Sequence, residues 1–224
     1  MSVAEHLGIR TSEYDRQILT FIPFYEEVLD AAAGALVALD RPARHLLDLG
    51  TGSGALAARC AAALPGVRVT GIDADPDMLA MARRRLGRTL TPVVARLEDV
   101  PFPACDVVTA SFSLHHIARP ATKARIFRRA FAALRPGGVL VDADCLLADD
   151  PRLQARDHDV WRRHLAATYG PAGARKALKA WAGEDTYFPM ALEMSLLRKA
   201  GFTVDVAWRK ASLAVLVATR PRRR

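Results

Sequence analysis

Cysteine, lysine and long apolar runs are scarce in this sequence. The three cysteines, Cys60, Cys105 and Cys145, lie far apart and form no CxxC pair, so neither a disulfide framework nor a cysteine-based zinc site is indicated. No apolar run approaches the roughly 20 residues that a membrane helix needs. The first residues include acidic side chains and no apolar segment typical of a signal peptide. We therefore expect a cytoplasmic protein that does not span a membrane.

The positive charge of the chain comes almost entirely from arginine. The net charge is +8, and 27 of the 32 basic residues are Arg. A charge of this size is compatible with a nucleic-acid partner. However, the arginines are dispersed, and the local clusters at Arg83–Arg85, Arg162–Arg163 and 220–224 are short. We favour solvated helix faces and keep nucleic-acid binding as the alternative.

Length and composition predict one globular domain over residues 1–224. The mass of 24.4 kDa falls in the range of a single domain. Hydrophobic residues make up 51% of the chain and charged residues 25%, which excludes a chain that is disordered throughout.

Strand and helix patterns alternate along most of the chain, which predicts a parallel sheet covered by helices on both faces. The predicted class is a doubly wound α/β fold with a mostly parallel seven-stranded sheet that ends in an antiparallel hairpin. The predicted strands are Arg44–Leu49, Val67–Ile72, Thr91–Ala95, Asp106–Ala110, one that opens at Val139–Val141, Phe202–Trp208 and Leu213–Ala218. The predicted helices are Ala55–Leu64, one that begins at Pro76 after the N-cap Asp75, Thr122–Leu134 with its stop at Pro136–Gly138, and Leu192–Ala200.

Two segments lie outside this alternation. Residues 1–43 are predicted to form one or two helices that act as a lid. Residues 148–190 are polar and helical in pattern, with an interruption at Gly170-Pro171, and we expect them to form a helical insertion that contacts the substrate. If the helices of this insertion are exposed, they could pair two chains into a homodimer.

A glycine-rich turn follows the first predicted strand. It contains Gly50, Gly52 and Gly54, and glycines at such a turn let the backbone approach a ligand closely. The spacing differs from the dinucleotide-binding fingerprint because the third glycine comes one residue early. The next strand ends at Asp73, at the position where a carboxylate accepts ribose hydroxyls in nucleotide-binding βαβ units. Together, the turn and the carboxylate predict a nucleotide-containing ligand.

Four motifs carry a family resemblance. DLGTGSG, GIDADPDML, SFSLHHI and ALRPGGVLV occur in this order between Leu46 and about Leu146, and they are similar to the motif series of class I S-adenosylmethionine-dependent methyltransferases. The resemblance implies a Rossmann-like fold, S-adenosylmethionine as cofactor, and methyl transfer to an O or N nucleophile of a small molecule. It implies that the cofactor contacts include Gly50, Thr51 and Gly52 at its methionine part, Asp48 at its amino group through the loop, Asp73 at the ribose and Ala74 beside the adenine.

The N-terminal segment resembles a narrower subgroup. YDRQILTFIPFYEEVLD is similar to a segment of the subgroup that includes carboxy-S-adenosylmethionine synthase, a tRNA-modification enzyme. This resemblance implies that Tyr25 contacts the cofactor, that Tyr14 lies in the same lid, and that Ser111 is a further cofactor contact. Either tyrosine could instead be a packing residue with a solvated hydroxyl.

The third strand departs from the family pattern. Many members have an Asp there that meets the adenine amino group, whereas this chain has Arg96, which cannot accept a hydrogen bond. Adenine recognition would then rest on the Leu97 backbone, on Glu98 or Asp99, or on stacking of Arg96 on the ring.

Polar residues at two later strand ends are candidates for catalysis. His115 and His116 follow the fourth strand, and an imidazole there could accept a proton from the nucleophile or could simply line the cofactor site. Asp142 and Asp144 lie on one side of the fifth strand, because side chains alternate with a period of two. They could bind an amine or act as a base, and we slightly favour a solvated strand end.

The insertion offers aromatic residues and little support for a metal. Its ring-bearing side chains could form a lid over an apolar acceptor. Asp157, His158 and Asp159 are adjacent on a helix and point to different faces, so no metal site is expected. The ring-bearing residues of the insertion are His158, Trp161, His164, Tyr169, Trp181 and Tyr187.

Two alternatives to methyl transfer stay open. The first is a tRNA-modification or carboxy-S-adenosylmethionine synthase-like enzyme, for which a cation such as Arg175 or Lys176 would meet the extra carboxylate. The second is a non-catalytic cofactor-binding protein, which the departure at Arg96 would allow.

Overall fold

The computed structural model describes residues 9–39 and 41–222. Residues 1–8 and 40 of the predicted N-terminal segment 1–43 lie outside the described residues. Residues 223 and 224 of the basic run 220–224 do as well.

Helices and strands alternate along most of the chain, as predicted. The helices are α1 Tyr14–Phe21, α2 Tyr25–Gly34, α3 Ala55–Ala63, α4 Pro76–Leu86, α5 Pro120–Ala133, α6 Pro151–Trp181 and α7 Met190–Ala200. The strands are β1 His45–Leu49, β2 Arg68–Asp73, β3 Leu90–Val94, β4 Cys105–Ser111, β5 Leu134–Cys145, β6 Thr203–Lys210 and β7 Leu213–Thr219. Short 3-10 turns occur at Thr11–Glu13, Ala35–Ala38, Gly87–Thr89 and Leu114–His116.

The seven strands form one sheet in the order β3-β2-β1-β4-β5-β7-β6. The first five strands pair in parallel, and β7 pairs antiparallel with both β5 and β6. The predicted fold class is therefore confirmed, including the antiparallel hairpin at the end. The strand order reverses between β1 and β4, and ligands bind at such a switch point in doubly wound sheets.

Local sequence signals explain where α4 and α5 begin and end. The Asp75 side chain accepts hydrogen bonds from the backbone N–H groups of Asp77 and Met78, and Pro76 is the first helical residue, both as predicted. Helix α5 ends at Ala133, and β5 begins at once, before the predicted stop at Pro136–Gly138. The chain becomes extended there because Leu134 already pairs with Cys105 of β4.

Helix α6 contains the predicted interruption. Gly170 has φ 68° and ψ 169°, and Pro171 follows it inside the helix. Three side chains of α6 bond to α1: the Trp161 indole N–H donates to the Phe21 carbonyl at 2.8 Å, His164 Nε2 lies 3.1 Å from the Leu19 carbonyl, and the Tyr169 hydroxyl lies 2.5 Å from that of Thr20. The insertion and the N-terminal segment therefore form one cover.

Apolar clusters lie on both faces of the sheet. One cluster packs α2 and α3 against the sheet, and the other packs α5 and α7 against the opposite face. Cys60, Cys105 and Cys145 are buried free thiols in these clusters, as predicted. None of the described helices has the length and apolar character that a membrane span requires.

Candidate functional site

The glycine-rich turn lies at the carboxyl end of β1 and has a backbone that few other residues could adopt. Gly50 and Gly52 have φ values of 66° and 55°, in the left-handed region that favours glycine. A Cβ at Gly50 would lie 2.3 Å from the Cβ of Ser113, which excludes any side chain at this position. The N–H groups of Gly50 and Thr51 donate to the Ile72 carbonyl, which fixes the turn against β2.

Asp73 is tied to this turn from the end of β2. Its carboxylate accepts a hydrogen bond from the Gly52 N–H at 2.7 Å and another from the Asp75 N–H at 2.9 Å. Burial raises the pKa of the Asp73 carboxyl above its ordinary value, while these two N–H groups act in the opposite direction. The predicted pair of turn and carboxylate is therefore one connected unit.

Asp48 lies beneath the turn rather than in the open site. It is 2% exposed, and its carboxylate accepts a hydrogen bond from the Thr109 hydroxyl at 2.6 Å. Burial raises the pKa of Asp48 to about 6. The side chain does not line the cavity described next.

A cavity of about 720 Å³ opens beside the turn. Its volume is in the range typical of small-molecule sites. It brings together the residues predicted to contact the cofactor, except Asp48, and the two histidines predicted as candidates for catalysis. The predicted residues that line it are Tyr25, Gly50, Thr51, Gly52, Asp73, Ala74, Arg96, Leu97, Ser111, His115 and His116.

Arg96 lies at one end of the cavity and points largely into solvent. Its side chain is 70% exposed, and its guanidinium lies 3.3 Å from the Glu98 carboxylate and 3.9 Å from that of Asp99. Glu98 also lines the cavity. The family pattern has a carboxylate at the position of Arg96, and this chain instead offers one two residues later, at Glu98.

Aromatic rings form the wall over the turn. Tyr25, at the start of α2, stacks on Phe112 with ring centroids 5.6 Å apart. Burial raises the pKa of the Tyr25 hydroxyl well above its ordinary value. Phe112 has a positive φ of 48°, and Tyr14 also lines the cavity. The sequence analysis missed Phe112, although it follows Ser111 directly.

The far half of the cavity is lined by aromatic residues of α1, α6 and the segment after α6. Trp181 meets Phe21 edge to face at 5.5 Å, and Trp161 lies 6.0 Å from the ring of Tyr187. Of the six ring-bearing residues predicted as a cover, Trp161, Trp181 and Tyr187 line the cavity, whereas His158, His164 and Tyr169 do not. We call Phe21, Trp161, Trp181 and Tyr187 the aromatic half of the cavity, and the part around the glycine turn the glycine half.

His115 lies where the two halves meet, and Asp144 fixes its ring. His115 Nδ1 is 2.6 Å from one Asp144 oxygen, and the backbone N–H of His115 donates to the other at 3.1 Å. Burial alone would lower the pKa of His115, but the Asp144 and Asp185 carboxylates raise it above its ordinary value. The same contacts with His115 lower the pKa of Asp144 against the effect of burial.

His116 and Asp185 complete the polar group at this junction. His116 Nδ1 lies 3.0 Å from Asp185 Oδ1, and the Tyr187 hydroxyl donates to Asp185 Oδ2 at 2.7 Å. Despite burial, the two histidines and Tyr187 lower the pKa of Asp185 to about 2. The sequence analysis missed Asp185, because no motif surrounds it and only the fold brings it to His116.

The preference for a solvated end at Asp142 and Asp144 was wrong. Asp142 is fully buried and Asp144 is 2% exposed, because helices α5 and α7 cover this face of β5. Burial, Asp144 and Glu193 raise the pKa of Asp142 well above its ordinary value. Asp144 reaches His115, whereas neither Asp142 nor Asp144 lines the cavity.

Four further residues considered from the sequence lie away from the cavity. Arg175 and Lys176 are exposed on α6 and do not line it, so the cation expected for an extra carboxylate is not there. Asp157 is buried and lies near the guanidinium groups of Arg156 and Arg209, while His158 is exposed.

Comparison with known proteins relates this geometry to one family. Residues 46–138 match the family described as methyltransferase domain. The chain is 29% identical over 177 residues to a carboxy-S-adenosyl-L-methionine synthase of Chromohalobacter salexigens, a match that covers 73% of this chain and 63% of that protein. It is 36% identical over 110 residues to a demethylmenaquinone methyltransferase of Thermus thermophilus, covering 47% and 49% of the two chains.

A solved structure has the same architecture. The S-adenosylmethionine-dependent methyltransferase SibL, in its apo form, superposes with a TM-score of 0.63 at 25% identity. The superposition covers 89% of this chain and 55% of SibL. The present chain thus spans less than two thirds of the length of SibL and of the Chromohalobacter protein.

Proposed function

Because the chain belongs to the class I S-adenosylmethionine-dependent methyltransferase family, we propose that it transfers a methyl group to an oxygen or nitrogen nucleophile of a small molecule. The observation that carries this proposal is the single cavity that joins the glycine half to the aromatic half. His115 and His116 lie at the junction of the two halves, where a methyl group would pass from one ligand to the other.

The glycine half fits the cofactor. Gly50 and Gly52 have no Cβ and positive φ values, so their backbone can lie against the methionine part of the ligand. Asp73, at the end of β2, is suited to the two ribose hydroxyls, since a carboxylate offers two acceptor oxygens. Ala74 and Leu97 would flank the adenine, with Arg96 and Glu98 at its edge.

The remaining cofactor contacts come from the cover and from β4. We assign Tyr25 and Ser111 to this group because both line the cavity beside the turn. Asp48 supports the loop from below through its hydrogen bond to Thr109. Closure of α1 over this half would exclude water from the reacting atoms.

The aromatic half fits an acceptor with a flat or apolar body. Phe21, Trp161, Trp181 and Tyr187 offer ring faces, and the carboxylate of Asp185 lies among them. Apolar pockets with a few convergent polar groups are typical of small-molecule sites. The polar group at the junction would then orient the nucleophilic atom of the acceptor.

The chain acts on the reaction chiefly by positioning. When bound, S-adenosylmethionine supplies a methyl group already activated by a positively charged sulfur. The protein must hold the nucleophile in line with that methyl group, and orientation of this kind can contribute on the order of 7–11 kcal/mol. We propose His115 and His116 as the catalytic residues that contact the nucleophile, and that accept its proton when the nucleophile is a hydroxyl group.

Thermal unfolding with ligands tests the cofactor assignment. A ligand at 100 times its dissociation constant adds about 2.7 kcal/mol to the free energy of unfolding. For a chain of this length, that raises Tm by roughly 5–10 °C. We expect this shift with S-adenosylmethionine or its demethylated product and none with NAD. The shift should be lost in Asp73→Ala and kept in Asp77→Ala, which removes an exposed carboxylate nearby. A shift with NAD alone would contradict the proposal.

The double variant His115→Ala/His116→Ala tests the catalytic assignment. With an acceptor found by screening, we expect turnover to fall while the ligand-induced shift in Tm stays. Full turnover in this variant would remove both histidines from the mechanism. Firm cofactor binding without turnover on any acceptor would favour the non-catalytic alternative.

A second candidate function follows from the similarity to carboxy-S-adenosyl-L-methionine synthases. A carboxylated cofactor needs a cation near its extra carboxylate. Among the described residues that line the cavity, Arg96 is the sole Arg or Lys, and it lies at the proposed adenine edge. This arrangement favours methyl transfer. Tighter binding of the carboxylated cofactor than of S-adenosylmethionine, measured by calorimetry, would reverse that preference.

A further inference from the structure

Three potential metal-binding side chains converge at the junction of the two halves. His115, His116 and Asp185 each offer one donor atom, and these atoms all lie within 4.8 Å of one another. Asp185 Oδ1 is 3.0 Å from His116 Nδ1 and 3.8 Å from His115 Nε2. Donor atoms bound to one transition metal lie about 3 Å apart, because each metal–ligand bond is about 2.0–2.2 Å long. Small side-chain movements would therefore bring all three atoms onto a common ion. We call these three residues the His-His-Asp cluster.

The orientation of the His115 ring determines which of its two nitrogens can bind a metal ion. His115 Nδ1 lies 2.6 Å from Asp144, so the N–H on this side is directed away from the cavity. Its Nε2 then faces the Asp185 carboxylate. A nitrogen lone pair opposite a carboxylate oxygen is repulsive unless a positive charge lies between them. That charge can be a proton on Nε2 or a metal ion shared by the two atoms.

Asp144 and Tyr187 hold two residues of the cluster in place through hydrogen bonds, as the neighbours of metal ligands do in proteins. Asp144 holds His115 through two hydrogen bonds and also accepts one from the Cys145 N–H, so its carboxylate is fixed. A carboxylate on the far nitrogen of a metal-bound imidazole fixes its tautomer and ring orientation. The Tyr187 hydroxyl fixes Asp185 by donating to Oδ2, which directs Oδ1 toward the two histidines.

We propose that the His-His-Asp cluster binds one divalent transition-metal ion at the floor of the acceptor site. Two imidazole nitrogens and one carboxylate oxygen suit zinc, manganese, iron or cobalt, and they suit magnesium and calcium poorly. All three residues line the cavity, so an ion bound by them would keep coordination positions open to an acceptor in that cavity.

The chemical role of this ion rests on the proposed function, methyl transfer to an acceptor. A hydroxyl or carbonyl oxygen bound to it would be held in a fixed position beside the methyl group. Coordination would also lower the pKa of a bound hydroxyl, so the nucleophile would release its proton to solvent water before it attacks the methyl group, without a free imidazole. This deepens the proposed function by selecting acceptors that carry an oxygen donor at the reacting position.

Metal binding can be measured without any acceptor or turnover. The full chain, treated with a chelator and then freed of it, is titrated with Co²⁺ while its visible absorption is followed, and with Zn²⁺ by calorimetry. We expect one ion per chain. Asp144→Asn, which alters an outer partner, should weaken binding about 10–100-fold, and His116→Ala and Asp185→Asn should weaken it at least as much.

A matched variant and a stability check keep the test decisive. His158→Ala removes an exposed histidine of α6 next to two acidic residues, and it should leave the affinity unchanged. The Tm of each variant without metal shows whether it folds. The His116 side chain is 47% exposed, so His116→Ala should fold even if Asp185→Asn does not.

Three results would overturn the metal proposal. The first is that the unmodified chain binds no metal. The second is that the metal affinity is unchanged in both His116→Ala and Asp185→Asn. The third is that His158→Ala loses as much metal affinity as those two variants. The Tm shift with S-adenosylmethionine, measured in the metal-free protein, separates the two proposals. A retained shift without metal binding leaves methyl transfer standing, with the histidines as proton acceptors, whereas metal binding without that shift contradicts the cofactor assignment.

Discussion

Gly50 shows how one residue determines the shape of the glycine half of the cavity. Its φ of 66° and the 2.3 Å approach of a Cβ to Ser113 both exclude alanine. We expect Gly50→Ala to lower the free energy of unfolding by about 1–3 kcal/mol and to abolish the Tm shift with S-adenosylmethionine.

Gly34→Ala is the control, because Gly34 has a helical φ of −62° and nothing within 4 Å of a Cβ. It should keep the shift and be neutral or slightly stabilising. Ligand binding by Gly50→Ala at the affinity of the unmodified chain would contradict this account.

Asp48 makes the stability of the protein depend on pH. Burial raises its pKa to about 6, so the folded state binds more protons than the unfolded state between about pH 4 and pH 6. This contribution to the free energy of unfolding therefore falls as the pH rises through that window. We expect Asp48→Asn to be more stable than the unmodified chain at pH 7–8, by on the order of 2 kcal/mol, and equal to it near pH 4.

Urea unfolding at pH 4, 6 and 8 measures this dependence. The control is Asp205→Asn, which changes an exposed carboxylate of β6 and should show no difference at any of these pH values. If Asp48→Asn were destabilised equally at all three, the carboxylate would act through packing and not through its charge.

At the scale of elements, one side chain connects the cover to the glycine turn. Asp15 of α1 accepts hydrogen bonds from the Ser53 hydroxyl at 2.6 Å and from the Arg85 guanidinium of α4. We expect Asp15→Ala to weaken binding of S-adenosylmethionine about three- to tenfold, because the cover loses its attachment to the turn. Its own Tm should change little, since the ion pair is partly exposed.

Isothermal calorimetry with Asp15→Ala and Glu13→Ala tests this attachment. Among the described residues, Glu13 forms ion pairs with its neighbours Arg10 and Arg16, and it does not line the cavity, so its removal should leave the affinity unchanged. Equal effects of the two variants would mean that α1 contributes through general charge and not through this contact.

A buried ion pair joins α5 to α7 beneath the sheet. Lys123 and Glu193 are 2% and 0% exposed, and Lys123 Nζ lies 3.1 Å from the Glu193 carboxylate. Lys123→Met leaves that carboxylate buried without its cation, which should lower the free energy of unfolding by about 3–5 kcal/mol. Lys123→Met/Glu193→Leu should recover most of this loss, and Lys199→Met, at an exposed position of α7, should be neutral. Denaturant unfolding of these three variants measures the changes in the free energy of unfolding. A double variant as unstable as Lys123→Met would contradict this explanation.

At the scale of the whole molecule, the order of strands and helices was predictable. Periodicity, Pro76 and the glycine turns act over a few residues, and they predicted most strands to within one or two residues. The end of α5 was misplaced because pairing of Leu134 with β4 is a contact between distant segments. The burial of Asp144 was missed for the same kind of reason, since α5 and α7 cover the end of β5 only in the assembled fold.

The glycine half and the aromatic half of the cavity differ in how far the sequence determines them. Gly50, Gly52 and Asp73 belong to one βαβ unit, so their spacing alone brings them together, and the sequence determined this half together with the fold class. The arrangement of the aromatic half and of the two histidines beside it was decided by tertiary structure. His115 meets Asp144 from β5, and His116 meets Asp185 from beyond α6, only because α6 packs against α1 and closes the cavity. Contacts of this kind follow from side-chain packing between distant segments, which no local pattern encodes.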